Sequence, residues 1–311
     1  MADAILKPGQ SDEIAESLRL NRYAVVSVPD AISTPLRKIH LAAESLFATS
    51  GEVKSRLSVS PSDACVFGYQ RFTGSSPEEQ GLDRSYETFD WTTAKRASSE
   101  FVLSLPQQAS LLTPGLMEAL HEYGSTLIAL QREILSSLVP DQMLGPFQSD
   151  PLSVLRLIRY SELSAHSPIP AHTDYEWFSV TNSTREGLEV LTPAGWQSVD
   201  AGPNSFVILA GNCLEIWTEG EFKSCRHRVL QTGGKKPRQS IVHFANLDAS
   251  AARAISDAAY RAIIGAPVFV PIKWVQKFYV RNVPELYRLA TEGRFPELLP
   301  IPDRNPITGE A

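Results

Sequence analysis

The chain has 311 residues, of which 43% are hydrophobic and 21% charged, and its formal net charge is −6. This composition is typical of a globular protein with a substantial core, and an acidic chain without a long basic run argues against nucleic-acid binding. No apolar run approaches the roughly 18 residues of a membrane span, and the N-terminus lacks the apolar core of a signal peptide. Three cysteines form an odd, sparse set that argues against a disulfide framework and favours a reducing compartment. We therefore expect a cytoplasmic protein that binds neither nucleic acid nor membrane.

The first half of the chain is predicted to be mainly helical. Residues 11–20, 34–51 and 113–139 show apolar residues at helical spacing, and a strand is predicted at 23–28. Pro35 suits the first position of the second helix, because proline is well tolerated there. The glycine at its other end suits helix termination.

Residues 61–100 are rich in Ser, Gly and Thr and carry several aromatic residues, so we expect a loop there. The aromatic rings either close the core beneath this loop or line a substrate pocket. The sequence leaves both interpretations open. Arg71, Phe72 and Tyr86 are the candidates from this loop for contact with a ligand.

Several short strand-like runs separated by turn signals follow in the second half of the chain. Such a pattern predicts an antiparallel sandwich or barrel. The runs cover residues 154–160, 187–191, 196–199, 205–210, 214–218 and 241–244.

His172, Asp174 and His227 are candidate metal ligands. The His-x-Asp pair alone is weak evidence, because a chain with six histidines contains such a pair by chance at odds of roughly one in three. The context strengthens it, since the pair follows a Pro-rich turn and His227 follows after several predicted strands. Side chains two residues apart on a strand project to the same face. Two imidazoles and one carboxylate are a donor set suited to iron(II).

Arg238 and Ser240 form an Arg-x-Ser pair shortly after His227. The guanidinium fork matches a carboxylate bidentately. We therefore predict that Arg238 holds the carboxylate of a co-substrate near the metal, and that Ser240 on the same strand face donates a further hydrogen bond.

These motifs resemble the iron(II)- and 2-oxoglutarate-dependent oxygenases, in the branch that contains isopenicillin N synthase. The similarity covers most of the chain, and the motifs have the order and spacing of that family. It is carried mainly by His172-Thr173-Asp174, Gly187-Leu188-Glu189-Val190, Trp196, Gly211-Asn212, His227-Arg228-Val229 and Arg238-Gln239-Ser240.

The resemblance implies a mixed α and β fold with a double-stranded β-helix core, the jelly-roll or cupin-like architecture, flanked by helices. We see no repeat and no clear linker, so we expect a single catalytic domain over residues 1–311. Within it we expect a mainly helical part with a loop over the site at 1–150. We expect the jelly-roll core with the metal site at 151–250 and C-terminal helices at 251–311.

The resemblance also implies the use of iron(II), 2-oxoglutarate and O2, with His172, Asp174 and His227 as iron ligands. In that family, 2-oxoglutarate is converted to succinate and CO2 while an unactivated C–H bond of the substrate is oxidised. By position, Tyr160 matches a family tyrosine that helps to hold the 2-oxoglutarate carboxylate. Ile158 departs from the family pattern, which has Asn at that position.

The substrate is expected to be a mid-sized, partly apolar small molecule. Trp177 and Phe178 place aromatic bulk just after the predicted metal ligands, and Arg71, Phe72 and Tyr86 are further candidates for substrate contact. The family branch implies hydroxylation, desaturation or cyclisation in specialised metabolism. We expect a monomer or a weak homodimer.

Two other functions remain open at this point. An iron oxidase of the isopenicillin N synthase type works without 2-oxoglutarate and carries the same ligand set and a similar Arg-x-Ser pair. A binding or sensor protein without catalysis could also use this fold, although the complete ligand set argues against it.

Overall fold

The computed structural model describes residues 10–58, 68–75, 83–92, 115–138, 153–160, 169–230 and 237–245, except 175, 193 and 219. Within these residues the helices are α1 (Ser11–Asn21), α2 (Asp30–Phe47), α3 (Gly51–Arg56), α4 (Leu116–Leu138) and α5 (Asn212–Trp217). The strands are β1 (Tyr23–Ser27), β2 (Gly68–Ser75), β3 (Asp83–Thr92), β4 (Val154–Tyr160), β5 (Ile169–His172), β6 (Phe178–Ser183), β7 (Leu188–Thr192), β8 (Gly195–Ser198), β9 (Ser205–Ala210), β10 (His227–Val229) and β11 (Gln239–Ala245).

The strands form two sheets in which all named strand pairs are antiparallel. The larger sheet has the order β1-β9-β6-β11-β4-β3-β2, and the smaller has the order β5-β10-β7-β8. Helices α1, α2 and α4 pack on one face of the larger sheet, and the smaller sheet packs on its other face. This arrangement confirms the predicted jelly-roll core with flanking helices.

The larger sheet is buried on both faces, because successive side chains of a strand point to opposite sides. Leu157 of β4 and Ile241 of β11 join the core beneath the helices. Their neighbours Ile158 and Val242 lie in the interior between the two sheets. A step of one residue therefore moves a side chain from the helix layer to the interior.

Helix α2 begins one turn earlier than the sequence predicted. It begins at Asp30 and not at Pro35, which lies inside the helix. The carbonyl of Pro29 accepts hydrogen bonds from Ile32 N (2.8 Å) and Ser33 N (3.1 Å), so the first turn forms before the proline. Pro35 then lacks one backbone donor, but its buried ring packs in the apolar stripe of the helix.

The glycine that was expected to end this helix instead begins the next one. Helix α2 ends at Phe47, and Gly51 is the first residue of α3. Ser50 caps α3, since its Oγ accepts a hydrogen bond from Val53 N at 3.4 Å.

Part of the predicted loop at 61–100 forms a β-hairpin. Strands β2 and β3 pair from Gly68 opposite Asp90 to Ser75 opposite Asp83, and β3 continues the larger sheet beside β4. Tyr69 of β2 and Phe89 of β3 are buried beneath the helices. On each strand, such buried residues alternate with residues on the other face of the sheet, but the polar composition of the segment concealed this pattern in the sequence.

The run at 214–218 was predicted as a strand but belongs to helix α5. Short apolar runs do not distinguish a strand from a helical turn by periodicity. Thr218 N donates to Leu214 O at 3.0 Å, which is the helical pattern.

Some expectations fall outside the described residues. These include the C-terminal helices at 251–311 and the start of the longest helix before residue 115. The segment 1–150 contributes strands β1, β2 and β3 as well as helices. No helix in the described ranges is both long enough and apolar enough to cross a membrane.

His243 of β11 forms a buried polar contact beneath the helices. Its Nε2 donates to Gln131 Oε1 of α4 at 2.8 Å, and Ser153 Oγ donates to the same oxygen at 2.8 Å. The side chain is 0% exposed, and burial lowers the pKa of His243 to about 3.

This burial predicts a loss of stability in acid. His243 stays neutral in the folded protein, whereas in the unfolded chain it binds a proton below about pH 6.5. The free energy of unfolding should therefore fall as the pH drops from about 6.5 towards 3, by at most about 1.4 kcal/mol per pH unit for this group. Urea unfolding of the wild type and of His243→Gln between pH 7.5 and 5 should give a steeper decline for the wild type. Equal slopes would contradict the assignment.

Candidate active site

His172, Asp174 and His227 meet at one end of the smaller sheet. His172 of β5 and His227 of β10 are directly opposite each other across the strand pair, and their ring centroids are 4.3 Å apart. Asp174 follows two residues after His172. Its Oδ1 lies 3.6 Å from His172 Nε2 and 3.8 Å from His227 Nε2. One ligand atom from each residue lies within 4.8 Å of the others, so the structure brings the three predicted residues together.

Backbone carbonyls set the orientation of both imidazoles. His172 Nδ1 donates to Pro170 O at 2.8 Å, and His227 Nδ1 donates to Cys225 O at 3.0 Å. A carbonyl oxygen only accepts, so each Nδ1 carries the hydrogen. In the neutral rings both Nε2 atoms then present a lone pair towards Asp174 Oδ1.

Asp174 is buried and its two carboxylate oxygens have different surroundings. Its side chain accepts a hydrogen bond at Oδ2 from Ser179 Oγ of β6, and the residue is 6% exposed. Within the described residues, neither Lys nor Arg pairs with it. A buried carboxylate that faces two imidazole Nε2 atoms favours a bound cation, because an unpaired buried charge is costly.

Gly211 allows the chain to approach the loop that carries Asp174. A Cβ atom at this position would lie 2.0 Å from the carbonyl oxygen of Glu176. Gly211 N donates to Trp177 O at 2.9 Å, and Asn212 N donates to Asp174 O at 2.8 Å. The start of α5 therefore fixes the backbone of the Asp174 loop, and only glycine fits there.

Arg238 lies at the opposite end of the interior from Asp174. Its Nε donates to the carbonyls of Arg185 (3.2 Å) and Glu186 (3.0 Å). Its guanidinium lies over the Tyr160 ring at 4.7 Å from the centroid. The residue is 7% exposed, and no carboxylate among the described residues forms an ion pair with it.

Three hydroxyl groups surround the guanidinium of Arg238. Nη1 donates to Ser240 Oγ at 2.6 Å, and Nη2 donates to Ser183 Oγ at 2.9 Å. Tyr160 OH donates to Ser240 Oγ at 3.3 Å, and the two serine oxygens are 2.8 Å apart. The structure thus brings Arg238, Ser240 and Tyr160 together as expected and adds Ser183.

His40 of α2 supports this cluster from behind the sheet. Its Nε2 contacts Asn182 Oδ1 at 2.7 Å, and Asn182 Nδ2 donates to the carbonyls of Pro203 and Ser205. Its Nδ1 lies 3.5 Å from the side chain of Gln239. Burial lowers the pKa of His40, which favours the neutral ring.

The predicted substrate-contact residues separate into two groups. Phe72 and Tyr86 stack with centroids 4.6 Å apart, and Tyr86 is directly opposite Tyr160 across β3 and β4. The rings of Tyr160, Tyr86 and Phe72 therefore form a row across β4, β3 and β2 that begins next to Arg238.

The other three candidates, Trp177, Phe178 and Arg71, lie elsewhere in the described structure. Trp177 and Phe178 are buried in the core beneath the helices. Arg71 alternates with Phe72 along β2, so its side chain lies on the helix side of the sheet. Successive side chains of a strand point to opposite faces, and Phe178 and Arg71 lie on the face away from the interior. The sequence predicted a loop around Arg71, so this alternation was not expected there.

Sequence reasoning missed Ser179 and Ser183. Both lie on β6, which runs from the Asp174 end of the interior to the Arg238 end. Ser179, Thr181 and Ser183 alternate with Phe178, Val180 and Asn182, and this period of two was the available signal.

Residues 149–247 match the family model described as the 2OG-Fe(II) oxygenase superfamily. They contain all three residues of the His-Asp-His group as well as Arg238 and Ser240. This segment is therefore similar in sequence to the 2OG-Fe(II) oxygenase superfamily.

Curated proteins of known name are also similar to parts of this chain. A 2-oxoglutarate-dependent dioxygenase of Aspergillus niger is 34% identical over 35% of this chain and 38% of its own length. An oxoglutarate-dependent flavonoid 7-O-demethylase of Ocimum basilicum is 28% identical over 57% of this chain and 52% of its own length. The chain therefore spans about half, or less, of these two relatives.

A solved structure is similar in fold to this chain. The full-length Neurospora crassa protein in complex with alpha-KG superposes with a TM-score of 0.62 at 19% identity, covering 79% of this chain and 85% of that chain. The branch that contains isopenicillin N synthase stays a prediction.

Gly211→Ala should destabilise the folded protein by about 1–3 kcal/mol or more, because the new methyl group must displace backbone. Gly51→Ala is the matched control, since a Cβ there meets nothing within 4 Å. Its free energy of unfolding should change by no more than about 0.5 kcal/mol. Urea unfolding monitored by circular dichroism measures both, and equal stability of the two variants would contradict the close approach at Gly211.

Proposed function

We propose that this protein is an iron(II)- and 2-oxoglutarate-dependent dioxygenase that oxidises an unactivated C–H bond of a small molecule. The observation that carries this proposal is the convergence of two Nε2 atoms and one carboxylate oxygen in an interior that also holds a buried guanidinium, which no described carboxylate pairs with. The first group suits a divalent metal, and the second suits a carboxylate.

His172, Asp174 and His227 are the proposed iron ligands. Neutral imidazoles and a carboxylate suit Fe(II), and three protein ligands leave further coordination sites for exogenous molecules. The Nδ1 hydrogen bonds support this role, because they direct both Nε2 lone pairs towards Asp174. Ser179 supports it by holding the second oxygen of Asp174.

Arg238, Ser240 and Tyr160 are the proposed binding residues for the distal carboxylate of 2-oxoglutarate. A guanidinium that is 7% exposed and forms no ion pair with any described carboxylate favours an anion beside it. The Tyr160 ring and the carbonyls of Arg185 and Glu186 fix the plane of the guanidinium. Its geometry is thus set before any ligand binds.

Iron, 2-oxoglutarate and O2 would together supply the oxidising power for C–H chemistry when they are bound. The chain's own residues would bind and orient the reactants. The buried position of Asp174 and Arg238 would keep water away from the charged groups.

Phe72 and Tyr86 are the proposed substrate contacts that the geometry supports best. Their stacked rings lie on the interior side of β2 and β3. An aromatic surface of this kind favours a partly apolar small molecule. By analogy with similar oxygenases, we propose that the outcome is hydroxylation, desaturation or cyclisation and that the role is in specialised metabolism. The cytoplasmic location also stays a prediction.

The main test uses Fe(II)-loaded protein under anaerobic conditions. Addition of 2-oxoglutarate should produce a visible charge-transfer band in the wild type. Arg238→Ala should raise the half-saturating concentration of 2-oxoglutarate at least about tenfold, since it removes a charge-assisted hydrogen bond. His227→Ala should give no band.

Arg56→Ala is the control for this titration, because Arg56 is exposed on α3 and its ion-pair partner among the described residues is the exposed Glu52. It should bind 2-oxoglutarate like the wild type. A wild type that binds iron yet gives no band would contradict 2-oxoglutarate dependence and favour an oxidase in which substrate completes the iron site.

Ser179→Ala should weaken metal binding. The substitution frees Asp174 Oδ2, and loss of a group that orients a metal ligand typically costs about 10–100-fold in affinity. Calorimetric titration with Mn(II) measures the change. Ser198→Ala on the exposed face of β8 should leave Mn(II) affinity unchanged, and equal affinity of both variants would contradict a role for Ser179.

A further inference from the structure

Strand β3 carries a buried hydroxyl group that has no hydrogen-bond partner among the described residues. Thr88 is 0% exposed, and its Oγ1 is the atom without a partner. The next residue, Phe89, lies in the core beneath the helices, so the side chain of Thr88 lies on the opposite face of the sheet, in the interior. A buried hydroxyl without a partner costs free energy. A partner that arrives with a bound ligand would remove this cost.

Thr88 lies beside the aromatic rings that are proposed to contact the substrate. It follows two residues after Tyr86 on the same strand face, at a spacing of roughly 7 Å along the strand. Across the sheet, Thr88 is directly opposite Gln70 of β2 and Ile158 of β4, whereas Tyr86 is opposite Phe72. A molecule of bicyclic size that stacks on the two rings would therefore reach Thr88.

An ion pair lies one step further along the same face. Arg156 of β4 is directly opposite Asp90 of β3. Its Nε donates to Asp90 Oδ1 at 2.7 Å, and its Nη2 donates to Oδ2 at 2.6 Å. Asp90 is 1% exposed, and its charge cancels that of the guanidinium. The surroundings of Thr88 therefore favour an uncharged group over a carboxylate or an ammonium group.

This face of the sheet leads towards the candidate metal site. The guanidinium of Arg156 lies 5.4 Å from the ring centroid of Phe244 in β11. Phe244 is directly opposite Ser179 of β6, and Ser179 donates to Asp174. Thr88 therefore lies between the aromatic rings and the metal end of the interior. A substrate that stacks on the rings and extends towards the metal would contact Thr88.

We propose that Thr88 is a specificity-determining residue of the substrate site. Its hydroxyl group forms a hydrogen bond with an uncharged oxygen of the substrate, either a hydroxyl or a carbonyl. The remainder of the substrate is a ring system that stacks on Phe72 and Tyr86. This inference rests on the proposed function, because it takes the interior to hold the substrate of the oxygenase.

The test is a ligand-observed NMR titration of protein loaded with Mn(II) and 2-oxoglutarate. The probes are 2-naphthol and naphthalene, which share a bicyclic skeleton and differ by one hydroxyl group. The wild type should bind 2-naphthol more tightly. Thr88→Val keeps the shape of the side chain and should raise the Kd for 2-naphthol about fivefold, the effect of one hydrogen bond between uncharged groups. The Kd for naphthalene should not change.

Two further variants control this titration. Thr88→Ser retains the hydroxyl group and should keep the preference for 2-naphthol. Ser198→Ala on the exposed face of β8 should change neither Kd. Equal rises for both probes in Thr88→Val would show that Thr88 only shapes the pocket, and an unchanged Kd for 2-naphthol would show no contact. Either result would overturn the proposal.

Urea unfolding of the free protein gives an independent readout. Thr88→Val should leave the midpoint unchanged or raise it, because the hydroxyl group that it removes has no partner there. A lower midpoint would show that this group is already satisfied without substrate and would overturn the proposal. A wild type that gives the charge-transfer band with 2-oxoglutarate but binds neither probe would overturn this inference alone. Absence of the band would mean that the proposed function fails first.

Discussion

Two buried charges, for which the described residues provide no counter-charge, organise the interior of this molecule. Asp174 lies at one end of β6, held by Ser179, and Arg238 lies at the other end, bonded to Ser183. Four residues of extended strand span roughly 13 Å. The cost of burying each charge alone is high, so the fold is suited to a cation at one end and an anion at the other. One ligand that binds a metal and carries a distal carboxylate would satisfy both ends.

The two sheets position these charges by different means. In the smaller sheet, the pairing of β5 with β10 places His172 and His227 opposite each other, and backbone carbonyls orient their rings. In the larger sheet, alternation along β6 and β11 places hydroxyl groups in the interior and apolar side chains beneath the helices. Glycine at position 211 then lets the chain pack against the loop that carries Asp174.

The contacts around Arg238 show how a short motif gains partners from the fold. Arg238 and Ser240 are neighbours in sequence, and their positions two residues apart already predict a shared strand face. Ser183 and Tyr160 reach the same guanidinium from two other strands. The sequence did not predict the contact of Ser183 with Arg238, because the two residues are far apart in the chain. Only the pairing of the strands shows that they are neighbours.

The sequence by itself predicted a type of chemistry, and it determined the jelly-roll class and most of the described strands and helices, because ligand spacing and hydrophobic periodicity are local properties. It also identified the three residues that converge at the candidate metal site. Tertiary structure decided which face each residue occupies: Arg71 and Phe178 lie on the helix side, whereas Phe72 and Tyr86 lie on the interior side. The reason is the period of two in a strand, where the pairing of neighbouring strands and the packing of helices determine which side becomes the interior.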